Sequence, residues 1–424
     1  MTRTEAPHQH LIDRLDIQNF EHRKLKNGTD LYFVGGIEED LIRVELRFKA
    51  GRWYEPRHVV SRAVSNIMKK GTSTKNAKQI AVVVDFYGAQ LEIEHGHDLT
   101  SIIIFCLGKY LDKILPVAEE IMTDASFAED ELEHFVKKQK QKLLISAQNT
   151  DFHANRKFNE VIFGKDHPYG YATFENDFNA LNSSLLKDYH RKHYNPADAT
   201  IFMAGNVNEN AIALVEKHFG HYQKNGVIIS STDKNISTDF ENKFFIAKED
   251  SVQSSVRIGN ISISKKHPDY PEFNVLNTAF GGYFGSRLMT NIREDKGYTY
   301  GIHSGVTHYK YGSFFVIQTE TGNEVCAAAI AETYKEMDIL KKEKMDADEL
   351  MIIKNYMMGG LLRATDGPFN RINVIKNMVM SDLDTSYFDS LVSGIKNITA
   401  DRLMELANTY LDQENMKEVV CGKK

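Results

Sequence analysis

Two stretches of this chain set polar side chains where their spacing could do chemistry. The stretch VSRAVSNIMKKGT, residues 60–72, reads as an apolar helix running into Lys70-Gly71-Thr72. Its inner positions hold Arg62, Ser65 and Asn66. Positions 62 and 66 are four apart and so share one helical face. Two ligands on such a face could grip a metal ion, but an arginine repels a dication and asparagine and serine bind it poorly. A second stretch, SRLMTNIREDKGYTYGIHSG (286–305), sets Arg293 and Tyr300 seven positions apart. That is two helical turns, although Lys296-Gly297 breaks a helix between them.

The histidine pairs are less promising. His95 and His97 in EIEHGHD have the spacing that puts strand side chains on one face, but the intervening Gly96 points to a hairpin tip. His190 and His193 in YHRKHY have no nearby cysteine and no carboxylate on the same face, and read as helix-end histidines. A metal site relocated to either pair is the remaining way this chain alone would carry metal chemistry. FGGYFG (280–285) lacks both G-x-G-x-x-G and a following Lys-Ser/Thr, so it is no phosphate cradle. The three cysteines, Cys106, Cys326 and Cys421, are far apart and read as buried thiols.

Elements must position these residues. At 424 residues the chain exceeds the roughly 250–300 that one core supports, so two domains are expected. In LIRVELRFKAG, Ile42, Val44, Leu46 and Phe48 alternate with Arg43, Glu45, Arg47 and Lys49, a strand with one face buried. The helix at Ser61–Lys70 follows, then NAKQIAVVVDFYG, a helix closed by Gly88. A hairpin over 89–107 comes next, then helices in YLDKILPVAEEIMTDA, AEDELEHFVKKQKQKLLISAQ and DFHANRKFNEVIFG. The second half replays this order: strand SSVRIGNISI, helix YPEFNVLNTAFGG, a hairpin over 301–321, then two helices. EDELEHFVKKQKQKLL (129–144) aligns without gaps on ADELMIIKNYMMGGLL (347–362), sharing Asp-Glu-Leu and Leu-Leu.

This pattern implies an internal duplication, an α+β fold of two homologous domains. Each domain has a mostly antiparallel sheet with helices on one face. The boundaries are 1–225 and 240–424, joined by the polar stretch 221–243. A net charge of −6 argues against a nucleic-acid surface. No run approaches the ~20 apolar residues of a membrane span, and MTRTEAPHQHLIDRLDI is no secretory signal. The expected compartment is the cytoplasm, or the periplasm if a leader has been removed.

A duplicated α+β chain with Lys-Gly-Thr after its first helix resembles the pitrilysin/insulinase family of zinc peptidases. The resemblance covers about residues 20–415 and includes AGRWYEP, HPYG (167–170) and HYNPADATIFMAGNV (193–207). Active members carry H-x-x-E-H on that helix, two zinc ligands and a general base. Registered on Lys70-Gly71-Thr72, those positions hold Arg62, Ser65 and Asn66, and the third ligand, a Glu from a later helix, falls on Lys142. The resemblance therefore implies a degenerate zinc site, with no cofactor in this chain. It also implies a role for the second half, where R-E-x-x-G-x-x-Y is matched by Arg293, Glu294, Gly297 and Tyr300. In the family this Arg/Tyr pair reaches a substrate carbonyl in the zinc domain. The implied function is that of a non-catalytic subunit of a heterodimeric metallopeptidase. A homologous zinc-bearing partner would face it as a clam shell, and Arg293 and Tyr300 would act in trans on a bound peptide. The alternative is a peptide-binding or scaffold homodimer with no peptidase role.

Overall fold

The computed structural model describes Leu15, Ile17, residues 19–224, Ile236 and residues 241–423. The N-terminal stretch before Leu15 and most of the expected joint at 221–243 lie outside the described residues. Apolar alternation and β-branched runs produce two mixed sheets. The strands of the first are β1 (Glu21–Lys24), β2 (Asp30–Val34), β3 (Leu41–Phe48), β4 (Gln90–His95), β5 (Thr100–Leu107) and β6 (Thr200–Gly205). Those of the second are β7 (Lys243–Ala247), β8 (Gln253–Ile261), β9 (Thr299–Tyr309), β10 (Gly312–Gly322) and β11 (Lys417–Gly422). The sheet orders are β1-β2-β6-β3-β5-β4 and β7-β11-β8-β10-β9. Leaving β1 aside, both sheets run first, last, second, fourth, third. In each, the first and last strands pair in parallel and every other pairing is antiparallel.

The helices between the first strands are α1 (Val60–Ile67), α2 (Ala77–Phe86), α3 (Leu111–Asp124), α4 (Glu129–Ser146), α5 (Thr150–Phe163) and α6 (Ser183–His193), with α7 (Glu209–Phe219) after β6. The second half has α8 (Tyr270–Asn277), α9 (Cys326–Lys342), α10 (Ala347–Thr365), α11 (Gly367–Met380), α12 (Thr385–Asn397) and α13 (Ala400–Tyr410). Asn76 caps α2 reciprocally with Gln79, and Gly88 follows in the left-handed region at φ +60. Such caps satisfy backbone groups that the helix ends leave open.

The expectation of helices on one face of each sheet needs correction. Ile42, Val44, Leu46 and Phe48 do face α1 and α3 in one core. The opposite face of that sheet, with Val34, Phe202 and Ala204, packs against residues of the second half, including Ile372 and Ile375 of α11. Reciprocally, Phe158 and Ile162 of α5 pack with Phe314, Val419 and Cys421 of the second sheet. Each sheet thus carries its own helices on one face and a helix of the opposite half on the other. Both faces are apolar enough to require cover, because each fully buried Phe or Ile contributes about 1.5–3 kcal/mol relative to exposure.

This exchange also overturns the one-sided reading of β3. Glu45, expected at the surface, is 2% exposed. It accepts hydrogen bonds from Lys376 of α11 at 2.9 and 3.1 Å, Arg43 at 2.5 Å and Ser101 at 2.8 Å. On the other sheet Arg257 pairs with Asp151 of α5, and Thr150 meets Ser255 at 2.9 Å.

Candidate functional site

Helix α1 turns almost everything inward. Val60, Ser61, Ala63, Val64, Ser65 and Ile67 are buried, leaving Arg62 and Asn66 as its exposed pair. The Ser65 hydroxyl donates to the Arg62 carbonyl at 3.0 Å, and the Asn66 amide donates to the same carbonyl at 2.8 Å. Both side chains are therefore spent on their own helix. Arg62 makes no hydrogen bond or ion pair among the described residues. Desolvation chiefly, then the like charge of Arg52, holds its guanidinium below the usual arginine value. Lys142 is exposed on α4, which packs against α1. A cation in each of two ligand positions and a back-bonded amide in a third do not fit zinc. Among the described residues no group of three or more His, Cys, Asp or Glu could hold a metal ion.

Beside this helix lies a network that the sequence reading missed. The Ser61 hydroxyl is 2.7 Å from Glu55 Oε2 and 2.8 Å from His95 Nε2. The Ser61 backbone N–H also donates to Glu55, at 3.0 Å. The Tyr171 hydroxyl donates to Glu55, and Arg52 donates to the Tyr171 carbonyl. The Arg52 guanidinium lies 3.3 Å from the Tyr171 ring centroid, and His58 stacks on that ring at 3.7 Å. Although Ser, His and Glu meet here, the carboxylate holds the hydroxyl and not the far ring nitrogen. With Glu55 ionised, Ser61 gives its one proton to the carboxylate, and His95 then donates to the serine oxygen. That is the reverse of nucleophile activation, where the imidazole takes the hydroxyl proton. Burial pushes Glu55 up to about 7, against the Ser61 donors and Arg52.

The histidine pairs do not converge on a metal. Burial first, then Arg62, lowers His95 to about 3, and burial lowers His97 to about 4. His95 ends β4 and His97 lies in the turn, as the hairpin-tip reading expects. His190 and His193 lie in the last turn of α6 but are buried and neutral, both lowered to about 4 by burial. They contact different carbonyls, Ile121 at 3.1 Å and Lys49 at 2.7 Å. The three cysteines are free and buried.

Arg293 and Tyr300 occupy a different part of the molecule. Arg293 lies in a π-helical turn, Met289–Asp295, and Gly297 at φ +65 redirects the chain into β9. The turn is anchored by Arg287 to Glu349 at 2.9 and 2.8 Å, and by Asn291 to Glu332 at 3.0 Å and Glu336 at 2.7 Å. The glycine-rich stretch ahead of it has one obligatory glycine. A Cβ on Gly281 would lie 2.6 Å from the Ser304 backbone nitrogen of β9. The Arg293 guanidinium rests 4.6 Å from the Phe284 ring centroid.

Tyr300 is 94% exposed. Thr319 pairs with Ile302 and Thr321 with Thr299, so Tyr300 and Gly301 together oppose the single residue Glu320. That is a β-bulge on edge strand β9, a device that re-aims a side chain and recurs beside active sites. Hydroxyls pin it. Thr299 Oγ1 donates to the Glu320 carbonyl at 2.6 Å and accepts the Gly301 N–H at 3.1 Å, and Thr319 Oγ1 lies 3.0 Å from Thr299 Oγ1. The bulge left no trace in the sequence beyond Gly301. No hydrogen bond or ion pair among the described residues joins this site to Arg62, Ser65, Asn66 or Lys142.

Comparison with known proteins places these features in context. Residues 180–357 match the family model described as the peptidase M16 inactive domain. A Bacillus subtilis relative named as the uncharacterized zinc protease YmxG is 25% identical over 362 residues, 84% of this chain and 86% of the relative. A Rickettsia felis relative, also named an uncharacterized zinc protease, is 24% identical over 401 residues, 92% of this chain and 95% of its own. Among solved structures, a peptidase M16 inactive domain from Pseudomonas fluorescens superposes with a TM-score of 0.86 at 21% identity, covering 96% of this chain and 98% of that one. The periplasmic protease PqqL from Escherichia coli gives a TM-score of 0.79 at 14% identity, covering all of this chain and 49% of that one. No helix of the described residues is long and apolar enough to cross a membrane.

Proposed function

We propose that the chain is an M16-type peptidase homologue, a reading supported by the match of residues 180–357, and that it is the zinc-free subunit of a two-subunit metallopeptidase. It is built of two duplicated domains, 1–225 and 240–424, a reading supported by the shared strand order of the two sheets. Its partner is a homologous subunit carrying H-x-x-E-H, and the two face each other as a clam shell. A peptide enters the chamber and adds a strand to the partner's sheet edge. Zinc bound by the partner would supply an activated water. Arg293 and Tyr300 reach across and donate to the scissile carbonyl oxygen as negative charge develops on it, the point where preorganised donors accelerate acyl transfer most.

The observation that carries this reading is the Tyr300 bulge. A phenol held outward by a hydroxyl-pinned bulge and 94% exposed has no packing role in its own chain. The test is co-purification with a homologous H-x-x-E-H subunit. The reading expects a one-to-one complex by sedimentation and a zinc-dependent peptidase activity that neither chain shows alone. A stable homodimer of this chain that ignores the zinc subunit would favour the scaffold alternative.

A further inference from the structure

The two sheets meet at a cleft that the peptidase reading leaves unused. A cavity of about 360 Å³ opens between the turn at His97, the loop at Lys265, the hairpin at His308 and the C-terminal end of α11. Ligand pockets span roughly 300–1,000 Å³, so the space suits a small molecule. Its carboxylates are already taken. Asp382 is shared by Lys310 at 2.8 Å and Lys266 at 3.5 Å. Asp98 accepts the Tyr169 hydroxyl and, at 2.8 Å, the Lys310 backbone N–H.

The cations are not all neutralised. Arg47 lines the cavity with Glu45 at 3.6 Å. That one carboxylate also serves Lys376 and Arg43, and Glu94 adds a second negative charge near Arg47. Lys265 makes no ion pair or hydrogen bond among the described residues, and burial holds its ammonium below the ordinary lysine value. His308 turns Nδ1 to the Ser313 hydroxyl at 2.9 Å and leaves Nε2 buried without a partner. If Ser313 donates to Nδ1, the neutral ring carries its proton on Nε2.

We propose that this cleft binds a phosphate-type dianion, free or as an ester of a small molecule, through Lys265 and Arg47, with the His308 ring lining the same wall. Lysine supplies a point charge and arginine a planar fork, the donors phosphate oxygens take best. The anion would tie the two sheets together from both sides. The inference stands apart from the peptidase-subunit reading, and either can fail alone.

Calorimetric titration of the full chain with inorganic phosphate at fixed ionic strength is the test. One saturable site with a Kd of about 1 mM or tighter is expected. Lys265→Met should weaken it by at least about tenfold, the worth of one charge-assisted hydrogen bond, while Lys265→Arg keeps it. Tighter binding of glycerol 3-phosphate would identify an ester as the ligand, and tighter binding of inorganic phosphate the free ion. Absence of saturation by about 10 mM, or unchanged affinity in Lys265→Met, would overturn the proposal. Should that variant not fold, histidine NMR of the unmodified chain decides. Phosphate must raise the His308 titration from about 4 and leave His190 unmoved, and an unmoved His308 also overturns it.

Discussion

The exchange of helices between the two sheets makes Glu45 the most consequential charge in the fold, and its removal should be far worse than removal of its partner. Glu45 is 2% exposed and holds Lys376, Arg43 and Ser101 by hydrogen bonds, with Arg47 at 3.6 Å. Glu45→Gln leaves three cations around a neutral amide, and stranding buried charge in this way costs about 3–5 kcal/mol. Lys376→Met leaves the carboxylate with both arginines and the serine, so the loss is nearer that of one charged hydrogen bond, about 1.5–3 kcal/mol. Trp53 is the sole tryptophan and stacks on Tyr311 of the second half at 4.2 Å, so its fluorescence reports whether the halves stay docked. Urea unfolding followed at Trp53 should show a larger loss for Glu45→Gln than for Lys376→Met. Equal losses, or a larger one for the lysine variant, would refute the reasoning. The pH dependence gives a second check. Burial raises Glu45, but the Lys376 and Arg43 charges outweigh it and hold the carboxyl below 4.5. A depressed folded pKa means stabilisation present above the unfolded value and lost as pH falls through the folded one. The gap between the wild type and Glu45→Gln should therefore close on acidification below about 4.5.

Glu55 should behave with the opposite sign. Its carboxyl is raised from 4.5 to about 7 by burial, so its own contribution to the folded state weakens as pH rises between those values; the urea midpoint of the wild type relative to Glu55→Gln should fall across that window, the buried histidines acting equally on both. The register of α1 predicts that Arg62→His, Asn66→His and Lys142→Glu together create a zinc site, read as about one zinc per chain by elemental analysis, with no zinc retained if the register is wrong. Thr319→Val should remove a hydroxyl that pins the Tyr300 bulge, costing about 1 kcal/mol of stability and slowing the proposed partner-dependent hydrolysis although Tyr300 itself is intact. A rate equal to that of the unmodified mixture would show that the bulge does not position the phenol.

Local elements were legible because their signals are local. The alternation in 42–48 gives β3, Gly88 closes α2 and the acidic start of AEDELEHF opens α4. The repeated element order foretold two sheets, and their common strand order agrees with it. What was not legible depends on distant pairing. Glu45 looked solvent-facing because the helix that covers it supplies Lys376, 331 positions later in the chain. Helices α11–α13 have no place in the element order read from the sequence, although Met378 of α11 is buried in the core. The Tyr300 bulge exists only in the pairing of β9 with β10. The Glu55–Ser61–His95 network joins three isolated polar residues whose spacing matches no motif.

The central claim is that Arg293 and Tyr300 complete a partner's active site. Steady-state kinetics of the mixed subunits, with saturating Tyr300→Phe or Arg293→Ala in place of the wild-type chain, tests it most directly. Both variants should unfold within about 0.5 kcal/mol of wild type, since Tyr300 is 94% exposed and Arg293 makes only its contact with Phe284 and an exposed pair with Glu294 at 3.7 Å. Each should lower kcat of the mixture by about 10²–10³-fold, the cost of removing one oxyanion donor, with complex formation unchanged. Wild-type kcat in mixtures containing either variant would contradict the account.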